Sequence, residues 1–473
     1  MTSLLFSILL AGILPFADSV ANRVWLGSSV SAGEYRNVFD AAVQMENRLG
    51  AQGADTKGPT LLFGRFEYGY DYGKGVAWRG WTDPYSTPFM VCDSIPGDIS
   101  RESYDMQAAV AWRTGRWKAG ADLGYRTSLM AKHKDLRNKN TRMDFSIAPG
   151  ITYDGNRFHF AATAGYVRNT EQVEYMQVDE STEKYLFQTY GLWFYTGSGF
   201  SSAENKRFLS GHGTFADVRV SYERGEFNIT HGLTVRYGVS TQTETGYNNL
   251  HHGDTRTLEY KDVLSVRAGR HFFSINGSLQ QMAGLRTLQR QELDPASKIR
   301  RWFSYGEPSD IYWREVLSLG GSYSYIADGW SVSGGAGYLD ITQSYKEYPA
   351  VYAQTLSFLE SWLAFAKDIQ LSSSYGLEIG PSLGYKHKLS GNPLACTVSG
   401  GMTVEDTDRQ LKAPMDAEFA YWSSDTFKAG LSLNAWHALR NGRRLTVSTG
   451  LSFAQGANHA SRSTASISIR YNF

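Results

Sequence analysis

The feature that most constrains this chain is a strict alternation of apolar and polar residues, clearest in its last segment, STASISIRYNF. Ile469, Tyr471 and Phe473 fall on one side of that segment, and the residues between them are polar. Because side chains alternate across a β-strand, the segment is a strand with one apolar face and one polar face. Such an apolar face packs on a core in a soluble sandwich and on lipid in an outer-membrane barrel.

The same period-two pattern recurs almost everywhere after about residue 60, for example from Trp117, Met143 and Leu445. These runs last about ten residues, which is the length that a tilted strand needs to cross a bilayer. Aromatic residues make up 14% of the chain, with 48 Gly and only 12 Pro, a composition typical of strands and turns. Lys and Arg total 47 against 46 Asp and Glu, so no net field recruits nucleic acid.

Short and long connections alternate along the chain, as an up-and-down barrel with brief periplasmic turns and extended outer loops predicts. The tight turns are predicted at 113–117, 153–157, 223–227, 268–272, 327–331 and 440–444. The long connections are predicted at 73–103, 131–140, 173–212, 243–256, 286–311 and 454–461. We therefore predict an all-β fold, a transmembrane antiparallel barrel of about 18 strands (range 14–18) closed by the strand that ends at Phe473.

The predicted strands begin near residues 60, 104, 117, 141, 157, 213, 227, 257, 271, 312, 330, 351, 373, 394, 411, 426, 442 and 462. Before them, residues 1–21 resemble a signal peptide, with an apolar stretch from Leu4 to Phe16 and small residues placed for cleavage after Ala21. Residues 22–58 do not alternate cleanly and are interpreted as a periplasmic or lumenal segment, which leaves 59–473 for the barrel. The predicted location is the outer membrane of a Gram-negative cell, with outer-membrane lipid as the surrounding partner.

Charged residues on one face of many strands fit a wet lumen, where they stay solvated or pair with one another. The functional interpretation is a polar channel whose charges select solutes. The alternative is a lumen plugged by loops, with ion pairs that serve only structure. The candidate lumen-lining residues are Arg113, Lys118, Asp122, Arg126, Asp144, His159, Arg219, Arg267, Arg444 and Arg470.

The most distinctive connection is WTDPYSTPFMVCDSIPGD, in which Trp81, Tyr85, Phe89 and Met90 are interspersed with prolines. A loop this apolar is seldom left in water, because exposed apolar patches attract contacts. It is a candidate constriction or cap in the barrel mouth, or a docking loop for a partner such as a surface lipoprotein. Packing against the inner rim explains the same residues.

Catalytic chemistry finds little support in the sequence. His251, His252 and Asp254 lie together on a predicted outer loop, but their spacing matches no strong zinc pattern, and a solvated loop explains them equally. The sequence contains no P-loop, GxSxG or CxxC motif, so we expect no enzyme activity, no cofactor and no bound metal. Whether Cys92 and Cys396 pair is left open.

Three segments resemble an uncharacterised outer-membrane β-barrel family of the Bacteroidetes: VWLGS, WRGWTDPYSTPFMVCDSIPG at 78–97, and KHKDLRNKNTRMDFSIAPGITY at 132–153. The closing ISIRYNF also resembles the C-terminal signature of bacterial outer-membrane proteins, which implies recognition by the barrel-assembly machinery during biogenesis. These resemblances imply an architecture and an address, and no activity.

The function expected from sequence is a porin-like passive channel for small polar solutes. The alternative is a non-transporting structural or accessory subunit of an outer-membrane complex, and a hydrolase at the barrel rim is a third hypothesis. An open lumen favours the first, a lumen blocked by residues 22–58 and the outer loops favours the second, and a His bonded to both Ser and Asp at the rim is required for the third.

Overall fold

The computed structural model describes residues 22–200, 205–245, 250–296, 298–348, 350–398, 410–439 and 442–473, so the predicted signal peptide at 1–21 lies outside the described residues. The elements in chain order are β1 (Arg23–Gly33), β2 (Val43–Lys57), β3 (Thr60–Val76), β4 (Val91–Cys92), β5 (Gly97–Thr114), β6 (Trp117–Lys132), β7 (Arg137–Asp154), β8 (Phe158–Met176), β9 (Tyr185–Thr189), β10 (Tyr195–Gly199), β11 (Asn205–Arg224), β12 (Phe227–Thr245), β13 (Leu250–Ala268), β14 (His271–Leu293), β15 (Arg300–Ala327), β16 (Trp330–Glu347), β17 (Ala350–Gln370), β18 (Tyr375–Val398), α1 (Lys412–Ser423), β19 (Thr426–Ala438), β20 (Arg444–Gly456) and β21 (Ser461–Asn472).

Eighteen of these strands form one antiparallel sheet that closes on itself, and β4, β9 and β10 form a separate three-stranded sheet. The barrel closes where β1 pairs with β21, with Trp25 opposite Arg470. On its other side β1 pairs with β2, which continues into β3. The predicted all-β antiparallel barrel of about 18 strands is therefore confirmed.

The separate N-terminal segment predicted at 22–58 is wrong, because Arg23–Gly33 and Val43–Lys57 are two strands of the barrel wall. Two features hide their alternation. Trp25 occupies the polar face of β1, where the guanidinium of Arg23 lies 5.4 Å from its ring centroid. In β2, Asn47 and Asp55 stand on the face that carries Val43 and Leu49.

The predicted strand starts near 394 and 411 are also wrong. Residue 394 lies inside the 24-residue strand β18, and residue 411 immediately precedes the helix α1. The predicted count was right because two missed strands at the N-terminus offset two false ones here.

The outer surface of the barrel is apolar. Large apolar side chains are exposed on the outward positions of the strands, among them Leu26, Leu49, Val110, Leu123, Ile147, Leu383 and Ile467. Aromatic residues such as Trp112, Trp117, Phe158 and Trp330 surround the end that carries the tight turns. A closed barrel with a continuous apolar exterior, bordered by aromatic residues, is stable in lipid because every strand edge is paired. The protein is an integral barrel of the Gram-negative outer membrane. Among the described residues, no helix is long and apolar enough to cross a membrane.

The two ends of the barrel differ. At one end the strands are joined by tight turns at the predicted places, except that the turn predicted at 440–444 lies partly outside the described residues. Gly115 and Gly225 adopt φ of +58° and +60° there, which a glycine accommodates without strain. Short turns mark this end as periplasmic. At the outer end, the longest connections fold back into the barrel, where they carry β4, β9, β10 and α1. The two larger buried apolar clusters of the described chain lie there.

Candidate functional site

The outer mouth of the barrel is filled by a folded unit that we call the plug: residues 77–96, 177–200 and 410–425. The first two segments pair through β4 and β9, with Val91 opposite Gln188, and β10 adds a third strand. The third segment joins through a bridge between Phe194 and Gln410. Three stretches that are far apart in sequence therefore form one structure inside the wall.

An apolar core holds the plug together. Trp81, Val91 and Cys92 have no exposed surface, and the Trp81 indole Nε1 donates to the carbonyl oxygen of Phe89 at 3.0 Å. Phe89 is fully buried as well and meets Tyr190 edge-on. A buried indole with a satisfied N–H is among the most stabilising side chains that a small core can contain.

All four residues of the loop singled out from sequence, Trp81, Tyr85, Phe89 and Met90, lie in the plug. The loop folds into the mouth, which agrees with the cap interpretation and with packing against the inner rim. Trp81, Phe89 and Met90 are buried and offer no surface to a docking partner in this structure. Tyr85 instead faces the lumen below.

Charged groups of the wall hold the first plug segment in place. The buried carboxylate of Glu171 on β8 accepts from the backbone N–H and hydroxyl of Thr82 at 2.7 and 2.8 Å, and from the Asn140 amide at 2.6 Å. On the other flank, the Lys132 ammonium donates to both Asp93 oxygens at 2.7 and 2.9 Å, and both side chains are almost fully buried. Breaking the first set leaves a buried carboxylate short of hydrogen-bond donors, and breaking the second leaves a buried charge without its partner; both are costly.

Glu418 of α1 connects the remaining parts of the plug. One carboxylate oxygen accepts from the Tyr85 hydroxyl at 2.6 Å, and the other from the Trp193 indole at 2.7 Å. The Asn37 amide donates to the same Tyr85 hydroxyl at 2.9 Å. One side chain thus joins the helix to both loops.

Burial and backbone strain further distinguish the plug. Burial raises the pKa of the Cys92 thiol well above its ordinary value, and burial together with the Glu418 carboxylate does the same to the pKa of Tyr85. Trp78, Leu192 and Trp193 adopt φ of 62°, 46° and 61°. Such conformations cost about 1–3 kcal/mol each for residues with a Cβ, so packing must hold them. Cys92 and Cys396 are both free thiols, one buried and one exposed.

Below the plug lies a cavity of about 740 Å³, bounded above by plug residues that include Tyr85 and Trp422 and elsewhere by the barrel wall. Ion pairs line it: Arg126 with Asp105 and Arg236 with Glu259 join neighbouring strands, and Arg142 pairs with Asp144 within β7. The aromatic side chains around it are Tyr85, Phe215, Phe358, Trp362 and Trp422. The lining combines these charged groups with aliphatic and aromatic surface, so it suits a polar solute that also carries an apolar part.

Arg314 differs from the other arginines of the cavity. Its guanidinium lies 5.1 Å from the ring centroid of Tyr85. Among the described residues it has no hydrogen bond and no carboxylate within salt-bridge distance, while Arg126, Arg142 and Arg236 each have one. It is therefore the cavity cation best placed to receive an acidic group from a solute.

The ten residues predicted to line the lumen all stand on the polar face of their strands, but they do not form one site. Arg126 and Asp144 line the cavity, and Asp122 lies near Gln107 at 3.4 Å. Nearer the periplasmic turns, Lys118 and His159 both contact Asp154. The others are spread around the barrel: Arg113 is opposite Lys118, Arg219 and Arg267 face separate lower spaces, Arg444 lies over Trp436, and Arg470 is opposite Trp25.

The sequence interpretation missed Arg142, Arg236, Arg314, Glu259 and Glu360 of the cavity. The signal was available, because each stands on the polar face of an alternating strand. What alternation does not give is height along the barrel, which decides whether an inward charge meets the plug, the cavity or the periplasmic opening.

The two histidine candidates have separate partners in the described structure. His251 contacts Asp254 at 3.1 Å, whereas His252 is buried against Glu244 at 3.0 Å beside Arg207. At the outer rim the Ser100 hydroxyl lies 2.9 Å from His133 Nε2, a pairing that sequence did not suggest. No carboxylate of the described chain bonds to that imidazole, so the third member of a triad is missing. Within the described ranges, no group of three or more His, Cys, Asp or Glu is arranged to hold a metal ion.

The sequence matches one protein family over most of its length. A model described as a family of unknown function, DUF6850, matches residues 14–473. The chain belongs to this family. No curated protein matches the sequence.

Solved structures whose backbones can be superposed on this one include large outer-membrane proteins. The ferric preacinetobactin receptor BauA of Acinetobacter baumannii has 10% identity and a TM-score of 0.45 over 96% of this chain and 80% of that chain. The copper transporter OprC has 8% identity and a TM-score of 0.41 over 95% and 80%. The FrpB iron transporter of Neisseria meningitidis has 8% identity and a TM-score of 0.39 over 96% and 81%. Similarity at this level transfers neither a ligand nor a mechanism to members of DUF6850.

Proposed function

We propose that this protein is an outer-membrane transport barrel for small polar solutes, closed at rest by its own plug and opened when the plug moves. The observation that carries the proposal is the charged cavity of about 740 Å³ directly below the plug. The proposal keeps the polar solutes of the channel expected from sequence but replaces free diffusion with gated passage. A permanently open channel requires an open outer mouth, and here the mouth is packed with buried side chains.

The lower lumen supports passage toward the periplasm. Ser265, Ser274 and Ser322 are consecutive register partners on the inner face of β13, β14 and β15. Ser322 borders both the cavity and a further space of about 750 Å³ that reaches the turn at Gly225. An 18-strand barrel lined by such small residues is wide enough for a water-filled path.

The cavity also suggests which solutes are preferred. Since Arg314 has no carboxylate partner within the described residues, an acidic group on the solute supplies the missing anion. Tyr85 lies against the same guanidinium and belongs to the plug. A solute bound at Arg314 therefore touches the moving part, which links occupancy of the cavity to opening.

Single-channel recording in planar bilayers tests the proposal. In the test variant, a short Gly-Ser linker replaces residues 78–95. Such a linker can span the gap because Val76 and Gly97 are register partners on adjacent strands. We expect the wild-type protein to give no stable steps and the linker variant to conduct steadily. Adding Arg126→Glu or Arg314→Glu to the linker variant shifts its selectivity toward cations.

Heat-modifiable gel mobility controls for folding of each barrel. Stable conductance from the wild-type protein contradicts the closed resting state and favours the freely open channel. A folded linker variant that stays silent rules out transport through this lumen.

A second candidate function, an accessory subunit that holds a partner such as a surface lipoprotein, is favoured by one hairpin. Residues 286–293 of β14 and 300–310 of β15 pair with each other beyond the ends of their neighbours, since β13 reaches only Leu285 and β16 only Tyr312. This ribbon exposes Leu288 and Tyr305 above the membrane. Shortening it to a tight turn should release a co-purifying lipoprotein while conductance stays unchanged. The Bacteroidetes origin implied by the sequence resemblance stays a prediction.

A further inference from the structure

The lipid-facing surface carries a hydrogen-bonded histidine–aspartate pair at a depth where polar groups are expensive. His231 on β12 bonds through Nε2 to both carboxylate oxygens of Asp262 on β13 at 3.1 Å, and both side chains are about half exposed. The register puts them outside the barrel. His231 is opposite Leu264, and Asp262 is opposite Leu233, while the inward face of the same strands carries Thr234 opposite Lys261.

The pair lies within the apolar band of the wall. Along β12 the outward residues run from the aromatic Phe227 through Ile229, His231, Leu233 and Val235 to the aromatic Tyr237. Ten residues of a tilted strand rise about 25 Å, which is the height of the lipid-facing band between the two aromatic girdles. His231 is four residues above Phe227, so it sits inside the hydrocarbon and below the level of lipid headgroups.

Pairing within one chain does not satisfy this site. The described residues provide no partner for His231 Nδ1, and both Asp262 oxygens share a single donor. In hydrocarbon no water can complete these bonds. Polar groups at such a depth are therefore expected to meet a protein partner rather than lipid.

We propose that the partner is a second copy of this chain, related by a two-fold axis along the membrane normal that passes between His231 and Asp262. Such an axis preserves depth and exchanges left and right. It therefore sets His231 against the partner's Asp262, and Asp262 against the partner's His231. A base beside an acid is complementary in charge to its own image.

The surface on either side of the pair is apolar. On the β11 side, Val218 and Val220 project into the lipid. On the β14 side, Asp262 is opposite Gly277, and the exposed Ile275 and Leu319 lie next to that glycine. The two-fold sets the valines of one copy against this apolar surface of the other, so apolar contacts surround the polar pair.

Disulfide formation in native membranes tests the contact directly. With the exposed Cys396 replaced by Ala, Leu233→Cys lies beside the axis, and oxidation should cross-link most of the protein as a dimer. Ile467→Cys on β21, nine strands away and equally exposed to lipid, is the matched control and should stay monomeric. Absence of the Leu233→Cys dimer, or equal cross-linking of both variants, overturns the proposal.

Charge exchange tests the chemistry of the contact. His231→Asp places two acids in each copy and should reduce the dimer fraction in lipid nanodiscs at least tenfold. The double variant His231→Asp with Asp262→His restores a self-complementary patch and should recover the wild-type dimer. Heat-modifiable mobility confirms that each barrel is folded. A wild-type protein that is monomeric in nanodiscs, or a single variant that still dimerises fully, shows that the pair does not bind a second copy.

Discussion

The outer and periplasmic halves of this barrel are built from the same strands but stabilised in different ways. In the outer half the inward side chains are large, polar or charged, and buried, as Glu171, Arg207 and Gln242 are. In the periplasmic half the inner face carries small hydroxyls such as Ser265 and Ser274, which bond across strands at 3.3 Å and face open space. The wall therefore depends on its closed hydrogen-bond ladder throughout, whereas the plug depends on a packed core.

This difference means that the plug can open as a unit while the barrel persists. Units that owe their stability to separate contacts open at separate free energies. The two native cysteines, one inside the plug and one exposed, report on such opening without further engineering.

The largest contrast we predict is between these two thiols in the wild-type protein. Cys396 should react readily with a small maleimide, and Cys92 should react about 10³-fold more slowly, since that factor corresponds to an opening free energy of about 4 kcal/mol. Raising the pH should accelerate the labelling of Cys92 only slightly, because burial raises the pKa of its thiol and keeps the thiol protonated in the closed plug. Mass spectrometry of the labelled peptides measures both rates. Equal rates would mean that the mouth is not packed shut.

Trp81→Ala should destabilise the plug without unfolding the barrel wall. Truncating a fully buried Trp costs about 3–5 kcal/mol, so labelling of Cys92 should accelerate by roughly 10²- to 10³-fold. The barrel itself should keep its heat-modifiable mobility. Trp112→Ala, an exposed Trp on the lipid face, is the matched control and should leave Cys92 protected. Loss of the folded barrel in Trp81→Ala would show that the two halves are not independent.

Glu418→Gln should destabilise the plug by a smaller free energy than Trp81→Ala does. The amide keeps one acceptor for the Tyr85 hydroxyl but leaves the Trp193 indole facing an NH₂ group, at a cost of about 1–2 kcal/mol. We expect Cys92 labelling to rise about tenfold, with Asp416→Asn on the exposed side of the same helix as the control. Equal effects of the two substitutions would assign the result to helix charge rather than to the bonds of Glu418.

The smallest effect is predicted in the periplasmic half. Ser322→Ala removes an inward hydroxyl that faces open lumen, so the barrel's thermal stability should change by less than about 0.5 kcal/mol and Cys92 should stay protected. Thermal scans read by gel mobility measure this. A marked loss of stability would reveal packing in the lower lumen comparable with that of the plug.

Sequence predicted the wall well because alternation is a local signal. The periods around Trp117 and Leu445 placed β6 and β20, and the glycine turns placed the periplasmic end. It missed β1 and β2, where an inward Trp25 and an outward Asp55 blur the pattern. The plug was beyond reach for a different reason. The bonds of Glu418 to Tyr85 and Trp193 span 333 and 225 residues, and no local pattern encodes such distances.

The seam between the first and last strands has a kinetic consequence. Ser31 bonds to Thr464 across 433 residues, so the cylinder cannot close until the final strand has been delivered to the membrane. Ring closure over that span is slow on entropic grounds, and until it happens the open sheet keeps an unpaired strand at each of its two edges. The plug contacts made by Glu418 come almost as late. A nascent barrel therefore passes through a stage with an open side and an open mouth, and the pairing of β21 with β1 ends this stage.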